Sequence, residues 1–245
     1  MDTIVVNIKN NVEIVHDKML KFAREAGRNP NEVKLVVVTK GHPLDVIQTA
    51  VAVGIERLGE NYPEETVAKI EALKSQKVEW HMIGHLQSRK VKLVCDHFSW
   101  LHSLDNLKLA EKLNRHLIEV DKKLPVLLEF NVGGEESKFG WQANDPNLWK
   151  HLLPDVETLI SYSNLDVRGL MAMPPLGETP QLSQSFFRKL RDLRDFIEKN
   201  ITGLNLNELS MGTSYDFRQA ILEGATLIRI GEAILGPRPP KLKTS

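Results

Sequence analysis

Apolar residues open the chain at alternating steps of four and three: Ile8, Val12, Val15, Met19, Phe22 and Ala26. That spacing places them on one face of a helix, and Gly27 can end it in the left-handed conformation. The pattern then changes. Residues 33–40 (VKLVVVTK) are β-branched, with no polar alternation at their centre, which predicts a strand buried on both faces. Strands and helices alternate from there on. Further strands are predicted at 57–61, 78–84, 97–104, 125–132, 167–173, 208–211 and 227–230. Helices carry the apolar sets Val46, Ile47, Ala50, Val51; Val67, Ile70, Leu73; Leu109, Leu113, Leu117, Val120; and Phe186, Leu190, Leu193, Ile197. Others are predicted near 87–94, less regularly over 146–163, and around Phe217, Ala220 and Ile221, where Ser214 is the expected N-cap. Pro63 suits a first helical turn, where its missing N–H costs nothing.

Alternation of this kind implies a parallel sheet with helical crossovers. About eight repeats match an α/β fold of the (β/α)8 TIM-barrel type with an extra N-terminal helix. An open doubly wound sheet is the alternative, but it needs a Gly-rich first turn that is absent after Val38. No low-complexity linker divides the chain, so residues 1–245 are expected to form one barrel domain. Residues 1–30 hold the extra helix and 237–245 a proline-rich, disordered tail.

Composition narrows the class. Lys plus Arg equals Asp plus Glu at 32 each, so no net field favours nucleic acid or membrane. The single cysteine, Cys95, forbids an intrachain disulfide, fits a reducing compartment, and reads as core. Asp2 stands where a signal peptide would carry basic residues, and no apolar run nears the ~18 residues of a membrane span. The expectation is a cytoplasmic protein.

In a barrel, ligands sit at the C-terminal ends of the strands. Lys40 falls at such an end, after apolar β-branched residues; desolvation there lowers an ammonium pKa and frees the amine to attack a carbonyl. A lysine in this position can also snorkel to water. Gly212-Thr213-Ser214 and Gly231-Glu232-Ala233 each open a predicted helix near the last two strands, where backbone N–H groups bind phosphate and glycine permits close approach. The same glycines could serve tight turns only. An amine and a phosphate cup at one mouth suit a phosphorylated carbonyl: pyridoxal 5′-phosphate (PLP) or an aldolase-type sugar phosphate. His81 and His85 have HxxxH spacing but lie on a strand and its exit, a poor metal site. Asp105 and Glu129 show no partner for paired-carboxylate chemistry.

The segments VVVTKGHP, LGENYPEE, WHMIGHLQSRK, LHSLD, FNVGGEESKFG, RGLMAMP, LSMGTSYDF and ATLIRIGEAILGPR together resemble the PLP homeostasis proteins, over nearly the whole chain. That resemblance implies a barrel like the N-terminal domain of alanine racemase and a role as PLP carrier or regulator of vitamin B6 and amino-acid balance. It implies PLP held as a Schiff base on Lys40, with no robust turnover; an amino-acid racemase is the alternative. Phosphate-binding segments fall on Ser210, Met211, Gly212, Ser214, Gly231 and Glu232, the arginine facing the pyridine nitrogen on Arg229, and surrounding residues on Asn61 and His85. Partners implied are PLP itself and PLP-accepting apoenzymes, with the chain a monomer or weak dimer. Tyr215 stands where an acidic residue is expected, and Pro63 and Glu64 replace a less rigid pair.

Overall fold

A computed structural model describes residues 3–175 and 178–239. Its strands are β1 (Lys34–Val38), β2 (Arg57–Glu60), β3 (Glu79–Met82), β4 (Trp100–Leu104), β5 (Leu124–Asn131), β6 (Trp141–Gln142), β7 (Leu165–Met171), β8 (Glu208–Ser210) and β9 (Leu227–Ile230). All pairings are parallel. The order β4-β3-β2-β1-β9-β8-β7-β5 is closed by pairing of β4 with β5, which makes an eight-stranded barrel. The two-residue β6 pairs with the end of β5 outside the ring. Helices α1 (Thr3–Glu25), α2 (Leu44–Ala52), α3 (Pro63–Ala72), α4 (Val91–His97), α5 (Leu107–Glu119), α6 (Leu153–Ser161), α7 (Pro180–Asn200), α8 (Phe217–Leu222) and α9 (Glu232–Leu235) complete the fold. None of the described helices is long and apolar enough to cross a membrane.

The predicted rhythm of elements is present, with shifts at the ends. β1 stops at Val38, so Thr39 and Lys40 sit on the turn beyond it. His97 closes α4 rather than opening a strand, and β4 starts at Trp100. Ser214 does not cap α8: Asp216 occupies that position, and Thr213 donates its backbone N–H and hydroxyl to Asp216 Oδ1, at 2.6 and 2.9 Å. The Ser214 hydroxyl instead accepts from the Ala233 N–H at 3.4 Å, at the start of α9. The tail expected from 237 is described as far as 239; residues 240–245 lie outside the described residues.

Two apolar layers hold the barrel. The larger lies between strands and helices, and Cys95 is part of it. Burial and neighbouring Asp96 push the Cys95 thiol up to about 12, so it stays a protonated core thiol. The smaller layer, Val36, Leu127, Met171 and Leu227 with Trp100 against it, fills the barrel interior. Because side chains alternate along a strand, His81, His102, Glu129 and Arg229 point into the same interior. Helix α1 buries Ile8, Val15 and Met19 of the predicted face together with Ala23, which was not predicted, and leaves Val12 and Phe22 partly buried. It packs on α2, α8 and α9 and so spans the β1–β9 seam. Asn11 Nδ2 donates to the Ile234 carbonyl at 3.0 Å. Arg28 Nη1 donates to the carbonyls of Ile221 and Ala225, at 3.1 and 2.9 Å.

Candidate cofactor site

The turn after β1 places Lys40. Gly41 takes a φ of +75°, and the His42 N–H donates to the Thr39 carbonyl at 3.1 Å. Beneath the turn, buried Glu60 at the end of β2 accepts from Thr39 Oγ1 at 2.8 Å and from Lys69 Nζ at 2.7 Å. Lys40 is half-buried. Burial lowers its pKa, Arg238 and Arg229 lower it further, and Glu60 opposes them. An amine held this way gives up its proton more readily than a surface lysine does. Arg238 belongs to the tail expected to be disordered, yet its side chain lies against Gly41. A cavity of ≈ 310 Å³ opens here between Val38, His42, Gly231, Glu232, Gly236, Pro237 and Arg238.

Gly231 lines that cavity, and the Gly212 segment lies beside it, with the Gly212 carbonyl accepting from the Arg229 N–H at 3.0 Å. Gly212 has φ +93°, and a Cβ there would lie 2.6 Å from Ala220 Cβ. Gly231 precedes the first turn of α9. Met211 is fully buried and offers the mouth only backbone. The Glu232 carboxylate is occupied by the Tyr215 hydroxyl at 2.9 Å, so Tyr215, the departure noted in the sequence, braces one segment on the other.

Arg229 lies at the centre of the barrel, buried. Its Nη1 donates to Ser210 Oγ at 2.6 Å and its Nη2 to the Ala172 carbonyl at 3.0 Å. Burial draws its guanidinium down to about 10, still charged at neutral pH. Ser210 also contacts His102 Nδ1 at 2.8 Å. Its hydroxyl is therefore committed to the arginine; the Thr213 N–H and hydroxyl are taken by Asp216, and the Ser214 hydroxyl, which accepts from Ala233, keeps its proton to give.

Asn61 follows β2, and its Oδ1 is buried with no hydrogen-bond partner. Gly84 is pressed on it so closely that a Cβ would come within 2.8 Å of Asn61 Cγ. His81 and His85 turn to different partners. His81 Nδ1 meets His102 Nε2 at 2.8 Å inside the barrel. His85 Nδ1 meets Asp105 Oδ2 at 2.9 Å, and its ring stacks on Phe139 with centroids 3.5 Å apart. Asp105 thus has a partner that its sequence context did not show. Glu129 also faces this group. Burial and the Asp105 charge raise its carboxyl to about 7, against the pull of Arg229 and Lys138.

The comparisons with known proteins fit this geometry. Residues 11–239 match the family model of the alanine racemase N-terminal domain. A pyridoxal phosphate homeostasis protein of Haemophilus influenzae is 38% identical over 236 residues, 95% of this chain and 97% of the relative. The chain belongs to the pyridoxal phosphate homeostasis protein family. Among solved structures, PipY of Synechococcus elongatus with PLP bound superposes with a TM-score of 0.77 at 33% identity, covering 89% of this chain and all of that one. An alanine racemase of Clostridium difficile shares the fold, with a TM-score of 0.71 at 14% identity over 96% of this chain and 58% of that one. The family's relatives named in these matches bear the name of homeostasis proteins rather than of enzymes.

PLP asks a site for an amine, a phosphate cradle and a partner for its ring nitrogen. The chain's residues meet each demand: Lys40, the Gly212 and Gly231 segments, and Arg229. The orphaned Asn61 Oδ1 adds a buried acceptor with no partner among the described residues. His102 and Arg238 escape the sequence reading, which names Glu129 but gives it no partner. His102 and Glu129 are polar residues inside strands, which alternation alone would turn to solvent, and Arg238 sits among prolines.

Proposed function

We propose that this chain holds PLP at the barrel mouth, as a Schiff base on Lys40, and serves PLP homeostasis as a carrier or regulator without robust turnover. The observation that carries this reading is the lysine itself: half-buried, with two guanidinium groups lowering its pKa, at the mouth where Gly212, Gly231 and Arg229 converge. PLP, when bound, supplies an electrophilic aldehyde and an electron sink. The chain's own residues orient it. Backbone N–H groups at Gly212 and Gly231, with the Ser214 hydroxyl, take the phosphate, and Arg238 adds positive charge beside Lys40. Met211 and Glu232 contribute backbone. Asn61 and His85 border the ring. The reading extends to one barrel domain that hands PLP to apoenzymes in the cytoplasm.

The expected lack of turnover has two grounds: Arg229 beside the ring nitrogen, and Lys40 as the one evident base, with no second base to pair with it among the described residues. A guanidinium keeps its positive charge, and a fixed cation beside the ring nitrogen disfavours its protonation, which makes the electron sink shallower. The test is borohydride treatment followed by intact mass. The protein is expected to carry one PLP-sized adduct, and Lys40→Ala to lose it while keeping its fold. A retained adduct in Lys40→Ala moves the site elsewhere. Given L-alanine in deuterated water, the loaded protein should leave the Cα proton in place. Exchange at about one per second or faster would restore the racemase.

A further inference from the structure

Two buried histidines inside the barrel have no part in holding the cofactor. His81 and His102 are 1% and 0% exposed. They continue a line of contacts that starts at Arg229: Arg229 Nη1 to Ser210 Oγ at 2.6 Å, Ser210 Oγ to His102 Nδ1 at 2.8 Å, and His102 Nε2 to His81 Nδ1 at 2.8 Å. Beyond the last ring, His81 Nε2 has no hydrogen-bond partner but lies 3.7 Å from Glu79 Oε2. Glu79 starts β3, at the opposite end of the barrel from the mouth, and lines a small basal cavity with His81.

We propose that His81 and His102 form a one-way hydrogen-bond relay that faces the Glu79 carboxylate across 3.7 Å at its far end and acts through Ser210 to position Arg229. Its direction is set at both ends. An arginine can only donate, so Ser210 Oγ accepts from Arg229. No other contact of the Ser210 hydroxyl is present among the described residues, so its own proton goes to His102 Nδ1. His102 is then protonated at Nε2 and donates to His81 Nδ1. His81 carries its proton at Nε2, pointing at the Glu79 carboxylate. The opposite direction fails twice. It leaves the Ser210 proton buried without an acceptor, and it aims a lone pair of His81 at a carboxylate. Burial holds both rings neutral, as the relay requires.

The relay gives Arg229 what it otherwise lacks. No carboxylate of the described residues lies within ion-pair distance of its guanidinium, and Ser210 Oγ and the Ala172 carbonyl are its acceptors. A polarised chain facing a negative charge strengthens each bond along it. Glu79, far from the mouth, then helps to set the arginine's orientation. These are positioning residues. The part of the inference that concerns the cofactor rests on the reading above, in which Arg229 meets the ring nitrogen.

The experiment has two arms. In cofactor-free protein labelled with 15N-histidine, NMR reads the tautomers. Both rings should be neutral and protonated at Nε2, and Nδ1 protonation of His102 would overturn the relay whether or not PLP binds. The second arm loads PLP into Glu79→Gln, which alters a half-exposed side chain. Its bound cofactor should show a displaced absorption maximum and about threefold weaker binding, the size expected for a residue acting through a network. Arg57→Gln is the control. It removes Glu79's 3.0 Å partner but leaves the relay's end in place, and should keep the wild-type spectrum. His102→Leu should reproduce the displacement more strongly. An unchanged spectrum in both Glu79→Gln and His102→Leu overturns the positioning role. Failure of the wild type to bind PLP removes the function proposed above while the tautomers still decide the relay.

Discussion

Glu129 shows how a single residue reports its surroundings. Its carboxyl is lifted from 4.5 to about 7, by burial first and by Asp105 second. A folded pKa above the unfolded one means that the native state binds the proton more tightly. The stability that Glu129 contributes is therefore fully present below pH ~4.5 and is lost as pH rises through ~7. In cofactor-free protein, Glu129→Gln should be more stable than wild type at pH 8 by on the order of 3 kcal/mol, and the gain should vanish near pH 4.5. Urea midpoints across that range check it, and a gain that did not depend on pH would contradict it. The sequence names this residue but not the surroundings that raise its pKa. In PVLLEFNV it is one carboxylate in an apolar strand, and only closure of the barrel brings it into the field of Asp105 and Arg229. Lys40 was legible because its signal is local, a lysine after a β-branched run. Arg229 was marked by the family resemblance.

At the scale of elements, β-branched runs and helical spacing carried the barrel, because each is a property of a few neighbouring residues. Ends were less legible. Thr39 and Lys40 look like strand but form the turn, since Gly41 adopts a positive φ that pulls the chain out of the sheet. β6 was unreadable: two residues have no period, and its pairing with Phe130 and Asn131 depends on the loop folding back. The two glycine segments proposed to face the phosphate also differ in a way the sequence hides. At Gly212 a Cβ would combine a φ of +93° with a 2.6 Å approach to Ala220 Cβ, whereas at Gly231 the nearest atom would be Val38 O at 3.2 Å. Gly212→Ala should therefore weaken PLP binding about tenfold or more, pyridoxal binding much less, and Gly231→Ala should be the milder change. Fluorescence titration with both vitamers separates the cases. An equal loss for PLP and pyridoxal would remove the phosphate role of this loop.

The whole molecule is closed by partners far apart in sequence. β1 has β2 on one edge and β9 on the other, and α1 covers that seam against α8 and α9. Arg28 reaches carbonyls of Ile221 and Ala225, the first of them 193 positions later. Contacts of such long range slow folding, because the loop must close before they form. On the ribosome, α1 is made long before α8 and α9, and of the helices it packs on only α2 can reach it early. Ile8, Val15, Met19 and Ala23 stay without their partners on α8 and α9 until the end of the chain emerges. In refolding followed by pulsed hydrogen exchange, amides of α1 and β9 should gain protection in the same late phase. Arg28→Met should speed unfolding while leaving the folding rate nearly unchanged, as expected for a contact made after the transition state. Protection of α1 ahead of β9 would show that the helix docks on a half-built barrel. If the two arrive together, the nascent protein depends on chaperones for most of its synthesis, for a reason written into where its first helix rests.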